Sequence, residues 1–158
     1  MRVGIGYDVH PFTDGRRLVL GGVEVEHDRG LGGHSDADVL AHAIIDALLG
    51  AGGMGDIGEL FPDTEQLYRD ADSLELLQTV VGRLANAGLR VANVDATVVM
   101  EAPRLAPHRQ AIRARLAAAL RVAPESVGVK ATTGEGLGFV GRREGVAAIA
   151  VALLTSEG

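Results

Sequence analysis

Three residues in the first third of the chain carry side chains that could bind a metal ion. Asp8 and His10 lie two positions apart in a segment that reads as a strand, so both side chains project from the same face. His42 lies inside a predicted helix, with Asp38 and Asp46 one turn away on either side. One carboxylate and two imidazoles suit zinc or another borderline divalent ion and leave a fourth position open. The alternative is a chance Asp-x-His and an ordinary surface or core histidine.

The two aspartates that flank His42 have a predicted role of their own. A histidine that ligates a metal usually donates its other ring N–H to a carboxylate or carbonyl. We therefore expect Asp38 or Asp46 to hold the second nitrogen of His42. Gly4 and Gly6 share the face of Asp8 and His10 and predict open space beside the strand.

A second candidate site follows the glycine-rich residues 30–33. His34 and Ser35 come directly before a predicted helix. Free N–H groups at a helix N-terminus, at the positive end of the helix dipole, favour an anion, and glycine lets the anion approach the backbone. The other interpretation makes Ser35 only a helix cap and His34 a loop residue.

A third candidate is segment 130–139, where a strand leads into a glycine-rich loop with Thr132, Thr133 and Glu135. Hydroxyls and backbone amides bind phosphate oxygens, and a single carboxylate beside them suits Mg²⁺. An Ω-loop with capping threonines is the alternative. The segment is not a P-loop, because no Lys-Ser or Lys-Thr follows its glycines. Residues 55–64 are polar and turn-rich and by themselves indicate only a loop.

Hydrophobic periodicity identifies the strands that would position these side chains. Segment 91–100 alternates from Ala92 onward and predicts a strand with one buried face. Segment 146–154 is apolar on both faces, as in a strand covered on both sides. Further strands are predicted at 2–10 and 127–131, with a hairpin at 17–20 and 23–26.

Three helices complete the predicted fold. Ser35 opens the first with a capping box and Gly50 ends it; Ser73 opens the second; Pro107 lies in the first turn of the third. The residues expected to face inward are Leu74, Leu77, Val81 and Leu84 in the second helix, and Ile112, Leu116 and Leu120 in the third. The order of elements predicts an α/β (α+β) two-layer sandwich, a mixed β-sheet with three main helices on one face. We expect a single domain over residues 1–158.

Composition narrows the classes of function. The chain has 158 residues, a net charge of −6 and no cysteine. The negative charge argues against nucleic acid as a partner, because such binding depends on lysine and arginine. The absence of cysteine excludes disulfides, thiol nucleophiles and cysteine-ligated metals. No apolar run approaches the ~20 residues of a membrane helix, and no signal-peptide pattern is present, so we expect a cytoplasmic protein without a membrane partner.

Taken together, the motifs resemble one enzyme family. They are Gly6-Tyr7-Asp8-Val9-His10, Gly33 to Val39 with His42, Gly55-Asp56-Ile57-Gly58, Phe61-Pro62-Asp63-Thr64, Ala102-Pro103, Lys130 to Thr133, and Leu137-Gly138-Phe139. In order and spacing they are similar to the 2-C-methyl-D-erythritol 2,4-cyclodiphosphate synthases of the non-mevalonate isoprenoid pathway. The resemblance runs from residue 2 to about residue 154.

The resemblance implies an activity and a set of site residues. The enzyme would be a CMP-forming phosphorus–oxygen lyase that cyclises 4-diphosphocytidyl-2-C-methyl-D-erythritol 2-phosphate. Asp8, His10 and His42 would ligate Zn²⁺ and Glu135 would ligate Mg²⁺ or Mn²⁺, while His34 and Thr133 would have the catalytic roles. The residues assigned to substrate binding are Asp8, His10, His34, Ser35, Asp56, Ile57, Gly58, Phe61, Pro62, Asp63, Thr64, Glu65, Met100, Glu101, Ala102, Pro103, Arg104, Leu105, Ala106, Thr132, Thr133, Gly134, Glu135, Phe139 and Arg142.

The resemblance also implies a homotrimer that assembles through the sheets, with each active site between two subunits. Phe139 and Arg142 would line a cavity on the threefold axis that can hold an isoprenoid diphosphate. Gly134 replaces a threonine or serine common in the family, and Glu65 replaces an aspartate. Two alternative functions are that of a metal-dependent phosphohydrolase and that of a non-catalytic trimer that binds isoprenoid diphosphates or nucleotides.

Overall fold

The computed structural model describes residues 1–156. Its strands are β1 (Arg2–Thr13), β2 (Leu18–Leu20), β3 (Val23–Val25), β4 (Gly30–Leu31), β5 (Leu89–Val99), β6 (Val127–Thr132) and β7 (Gly145–Ser156). Its helices are α1 (Val39–Gly52), α2 (Ile57–Leu60), α3 (Ser73–Asn86), α4 (Arg109–Leu120) and α5 (Gly138–Gly141), with single 3₁₀ turns at Gln66–Tyr68, Ala106–His108 and Pro124–Ser126. None of these helices is long and apolar enough to cross a membrane.

The strands form a five-stranded mixed sheet in the order β4-β1-β7-β5-β6, and β2 and β3 form a separate hairpin. β5 and β6 are parallel, while the other neighbours in the sheet are antiparallel. The three long helices α1, α3 and α4 pack on one face. The predicted mixed sheet, hairpin and helical layer are therefore confirmed.

The strand register sets the distance between the candidate site residues on β1 and those at the end of β6. Val9 pairs with Ala147, Ala147 with Val99, and Val99 with Thr132, so these four residues form one line across the sheet. At about 4.8 Å per strand, Val9 and Thr132 are three spacings, or roughly 14 Å, apart. The carboxyl ends of β1, β5 and β6 therefore share one end of the sheet but not one cleft.

Helix α1 lies directly on β1 because two glycines remove the side chains between them. A Cβ built on Gly6 would lie 1.9 Å from the carbonyl oxygen of Ala43, and one on Gly4 would lie 2.1 Å from that of Ala47. The prediction of open space beside these glycines is wrong, since the backbone of α1 fills it. The same contact brings α1 close to the end of β1 that carries Asp8 and His10.

The predicted helix boundaries need two corrections. Helix α1 begins at Val39 rather than Ser35, because Asp38 is the N-cap and its carboxylate accepts the N–H of Ala41. The helix continues through Gly50 and ends where Gly53 adopts a left-handed conformation. In α3 and α4 the expected inward-facing leucines, valine and isoleucine are all buried.

β7 is covered on one face only within this chain. Its even-numbered residues, such as Ala148 and Ala150, are buried against the helices, but Ile149 and Val151 are each 41% exposed. On the neighbouring β1, Val3, Ile5, Tyr7 and Val9 are exposed on the same side, with Ile5 at 71%. The prediction that this segment is covered on both faces is therefore wrong for the single chain, which leaves an apolar outer sheet face.

Candidate active site

The three predicted metal ligands lie together where β1 meets α1. The distance from His10 Nε2 to Asp8 Oδ2 is 2.8 Å, and His42 Nδ1 lies 3.1 Å from both Asp8 Oδ2 and His10 Nε2. Asp8 and His10 come from alternate positions of one strand, and His42 lies near the first turn of the helix packed on that strand. In the described part of the chain, this is the one group of three such residues that could hold an ion.

The outer contacts of the two histidines determine which nitrogens face one another. His10 Nδ1 lies 2.7 Å from the carbonyl oxygen of Gly32, which can only accept, so Nδ1 carries a proton. His42 Nε2 lies 2.8 Å from the hydroxyl of Ser73 and 3.1 Å from that of Ser35. With its proton on Nδ1, a neutral His10 presents the lone pair of Nε2 to Asp8, and His42 does the same with Nδ1 when its own proton lies on Nε2.

This donor set fits a zinc-type ion. Three lone-pair atoms that face one another repel unless a cation or a proton lies between them. Ligands 2.0–2.1 Å from a tetrahedral zinc lie roughly 3.3 Å from each other, close to the spacing of this triangle. Asp8, His10 and His42 would hold the ion and leave its fourth position directed into the cleft.

When no metal is bound, a proton can reduce the repulsion between the three ligand atoms. Burial opposes ionisation of Asp8, but the hydrogen bonds with His10 and His42 outweigh it and hold the pKa of Asp8 at about 2. Burial alone would lower the pKa of His10, yet the hydrogen bond and charge of Asp8 raise it above 6.5. Asp8 therefore stabilises the protonated form of His10 in the metal-free site, and a metal ion must displace that proton in order to bind.

The expected partners of His42 are wrong. Asp38 is fully buried and accepts the backbone N–H groups of Gly21, Gly22 and Ala41. Burial, reinforced by the nearby charge of Asp36, raises the pKa of Asp38 to about 6 although these three donors favour the ionised form. Asp46 instead accepts the N–H of Ile57 at 2.8 Å and so holds the start of α2.

Ser73 and Ser35, rather than the two aspartates, contact the Nε2 atom of His42. Ser73 is the first residue of α3, whose N-cap is Asp72, and its hydroxyl reaches His42 across 31 residues of sequence. The sequence marked Ser73 as the start of a helix and gave no sign of this contact. Ser35 does not cap α1; its hydroxyl accepts the N–H of Ala37 and contacts His42.

The structure also differs from the prediction of an anion site at the N-terminus of α1. The N–H groups that open α1 belong to Val39, Leu40 and Ala41, which are fully buried, and that of Ala41 donates to the Asp38 side chain, so the helix N-terminus does not open onto the cleft. His34 lies on the cleft wall, with its Nε2 3.0 Å from the carbonyl oxygen of Glu65. Arg16 holds this loop by donating to the carbonyl oxygens of Gly33 and Ser35 at 2.7 and 2.5 Å.

A cleft of about 510 Å³ opens from the three ligand atoms. One end is polar and the other is walled by apolar side chains from α2, the loop after it and α3. Sequence reasoning missed Tyr68 and Leu76, which also line it; Tyr68 packs edge-on against Phe61, with ring centroids 5.2 Å apart. The cleft-lining residues are Asp8, His10, Gly33, His34, Ser35, His42, Ile57, Gly58, Phe61, Pro62, Asp63, Thr64, Tyr68 and Leu76.

Two of the predicted substrate contacts in this region lie beside the cleft rather than in its wall. Asp56 is the N-cap of α2 and accepts the N–H of Glu59. Glu65 is exposed and contributes its backbone carbonyl to His34.

The remaining predicted site residues form a second group in the loops that follow β5 and β6 and lead into β7. Glu101 joins its two loops, because its carboxylate accepts the N–H of Gly134 at 2.7 Å and contacts that of Gly136 at 3.4 Å. The Thr133 hydroxyl accepts the N–H of Glu135 at 3.2 Å, and both side chains are exposed. Thr132, three residues beyond the buried Val129, lies on the outer sheet face.

Other members of this second group differ in exposure. Met100 and Leu105 are buried, Arg104 and Ala106 are exposed, and the Ala102–Pro103 peptide bond is cis. Phe139 is half-buried in α5, and Arg142 follows it in an ion pair with Glu144. None of the residues of this group lines the cleft at Asp8, His10 and His42.

The fold and the donor set define an α+β protein with a three-residue candidate metal site at one end of a cleft. Residues 1–155 match the YgbB family, and the chain belongs to that family. A 2-C-methyl-D-erythritol 2,4-cyclodiphosphate synthase from Syntrophomonas wolfei is 60% identical over 154 residues, which is 98% of each chain.

Solved structures show the same relationship. The bifunctional IspDF from Campylobacter jejuni superposes with a TM-score of 0.95 and 42% identity, over 99% of this chain and 42% of that longer one. A 2C-methyl-D-erythritol-2,4-cyclodiphosphate synthase in a CDP-bound form has a TM-score of 0.90 and 36% identity, over 98% of this chain and 100% of its own.

Proposed function

We propose that this chain converts 4-diphosphocytidyl-2-C-methyl-D-erythritol 2-phosphate to 2-C-methyl-D-erythritol 2,4-cyclodiphosphate and CMP. An oxygen of the 2-phosphate attacks the β-phosphorus of the same molecule, and the bond from that phosphorus to the bridging oxygen breaks. The bridging oxygen keeps the electron pair and leaves on CMP. The observation that carries the proposal is the convergence of three potential metal-ligand atoms, from Asp8, His10 and His42, at the polar end of a cleft.

The reaction asks the protein for positioning and charge neutralisation. The nucleophile is a phosphate that is already anionic, so no general base is needed, and a held conformer can offset roughly 7–11 kcal/mol of the barrier. Asp8, His10 and His42 would hold Zn²⁺, which when bound would supply positive charge beside a phosphate oxygen. His34 and Ser35, on the same wall, would orient the reacting phosphates, and the apolar wall around Phe61 would hold the methylerythritol carbon skeleton.

The site is completed by a second copy of the chain. Thr132 lies roughly 14 Å across the sheet from β1, and Thr132, Thr133 and Glu135 do not line the cleft of their own chain. The outer sheet face is apolar, and exposed apolar patches of this kind mark protein interfaces. A homotrimer packed through these faces would bring the second group of one subunit to the cleft of the next.

In that arrangement each group would have its own part of the substrate. Glu135 would hold Mg²⁺ or Mn²⁺ against the diphosphate, since Mg²⁺ takes few carboxylates plus substrate oxygens. Thr133 would steady the transition state, and residues 100–106 with Thr132 would frame the cytidine. The two metal ions would also supply the positive charge that a chain of net charge −6 needs in order to bind a phosphate-rich substrate.

The activity is tested with the cytidyl substrate at saturating zinc and magnesium. Chromatography measures CMP release, and phosphorus NMR identifies the second product. The cyclic diphosphate is the expected product. Free phosphate or a linear product would identify a hydrolase instead, and unchanged substrate would leave a binding protein.

The shared site is tested by mixing two inactive variants. His42→Ala damages the first group and Glu135→Gln the second, and the two proteins are co-refolded in equal amounts. In a trimer with sites between subunits, about one quarter of the sites regain both intact groups, so about a quarter of wild-type activity returns. If both groups served one chain, no activity would return. Each variant refolded alone is the control.

A further inference from the structure

The Nε2 atom of His42 is held by a short chain of polar groups, of which Ser73 is buried and Asp36 is half-buried. His42 Nε2 lies 2.8 Å from the hydroxyl of Ser73, and that hydroxyl donates to Asp36 Oδ1 in a short hydrogen bond. Asp36 also accepts the N–H of Ser73 at 3.0 Å and that of Asp38 at 3.1 Å. Ser73 is 0% exposed. The chain therefore joins the loop before α1, the first turn of α3 and the candidate metal site.

We propose that Asp36 and Ser73 are positioning residues that fix the tautomer of His42 for metal binding. The Asp36 carboxylate can only accept, so the proton of the Ser73 hydroxyl points to it. The Ser73 oxygen is then left to accept from His42, which places the ring proton on Nε2. His42 Nδ1 keeps its lone pair and faces Asp8 and His10.

Ser35 cannot replace Ser73 in this role. Its hydroxyl oxygen lies farther from His42 Nε2, at 3.1 Å, and also accepts the N–H of Ala37. No carboxylate contact orients the Ser35 proton in the described part of the chain, and Ser35 lines the cleft. The Ser73 hydroxyl, in contrast, donates to Asp36.

Two substitutions separate orientation from packing. Ser73→Ala removes the hydroxyl but keeps the backbone N–H that Asp36 accepts. Asp36→Asn keeps the shape of the side chain but supplies an amide donor. When that donor faces the Ser73 oxygen, the Ser73 hydroxyl turns its proton towards His42 Nε2. This favours the tautomer in which His42 Nδ1 carries the ring proton and cannot bind a metal. Outer partners of metal-binding histidines contribute about 10–100-fold in metal affinity, so we expect each variant to bind zinc about 10–100-fold more weakly.

Zinc affinity is measured in solution by competition with a chromophoric chelator, without substrate. Nitrogen NMR of the metal-free proteins reports the His42 tautomer, which a purely structural change would not alter. Thr79→Ala is the matched control, because it removes a hydroxyl from the exposed side of the same helix. It is expected to keep wild-type affinity and tautomer.

This inference rests on the metal site of the proposed function, and the experiment distinguishes the two. If the wild-type chain binds no zinc, the proposed function loses its metal. If the wild type binds zinc and both variants bind it as tightly, with the Nε2–H tautomer unchanged, the positioning role is overturned. Should Ser73→Ala fail to fold, Asp36→Asn, which is nearly isosteric, decides the question.

Discussion

Gly6→Ala should damage the candidate metal site from a position that touches none of its ligands. Gly6 lies two residues before Asp8, and its α-carbon faces the helix turn that follows His42. An added Cβ would lie 1.9 Å from the carbonyl oxygen of Ala43 and 2.7 Å from the N–H nitrogen of Ala47. Both are backbone atoms of α1, so no side-chain rotation relieves the clash.

The size of the effect follows from that distance. Real Cβ atoms do not approach such atoms closer than 3.0 Å, so β1 and α1 must separate by about 1.1 Å at this point. Overpacking costs typically 1–3 kcal/mol, and a rigid backbone partner places this case near the upper limit, at about 3 kcal/mol. Metal sites tolerate ligand displacements of only about 0.2 Å, so zinc affinity should fall by more than about 100-fold.

Urea denaturation of the metal-free protein measures the free energy of unfolding, and chelator competition measures zinc affinity. Gly82→Ala is the matched control, because a Cβ there meets nothing within 4 Å in α3. It should stabilise the protein by about 0.8–1 kcal/mol through helix propensity and leave zinc affinity unchanged. Wild-type stability and zinc affinity in Gly6→Ala would refute the claim that this glycine sets the separation of strand and helix.

Four further predictions concern the same region. His42→Ala should lose bound zinc and nearly all turnover while the proposed trimer persists, as metal analysis, CMP release and sedimentation would show; stoichiometric zinc in the variant would contradict the ligand assignment. Asp38→Ala leaves three backbone N–H groups without their acceptor and should cost about 3 kcal/mol or more in urea unfolding; a loss below about 1 kcal/mol would show that they find other partners. Because the pKa of His10 is raised above 6.5, zinc must displace its proton, and zinc affinity should fall about tenfold per pH unit below that pKa. The stability of the metal-free protein should change with pH in the opposite direction to zinc affinity. The stability from protonated His10 is fully present below pH 6.5 and is lost as pH rises through the raised pKa, which urea unfolding in the presence of a chelator would detect.

Local patterns sufficed for the elements and for part of the site. The period of two places Asp8 and His10 on one face of β1, and the helical period buries Leu77 and Leu84 in α3. Such patterns depend only on neighbours along the chain. The start of α1 was misplaced because Ser35 and Asp38 are both good caps, and only the buried turn at Gly21 decides between them.

Contacts between distant segments could not be predicted in this way. The partner of His42 is Ser73 rather than an aspartate one helical turn away, because the packing of α3 against α1 brings the hydroxyl there. The strand order likewise separates Thr132 and Glu135 from the cleft and leaves Ile149 exposed.

The sequence by itself determined which side chains this protein has for chemistry and which faces of their own elements they occupy. Local backbone geometry sets both, and it repeats every two or 3.6 residues. The tertiary structure alone decided which of those faces meet. That outcome depends on strand order, on the close approach that glycines allow between β1 and α1, and on buried polar groups finding partners far along the chain.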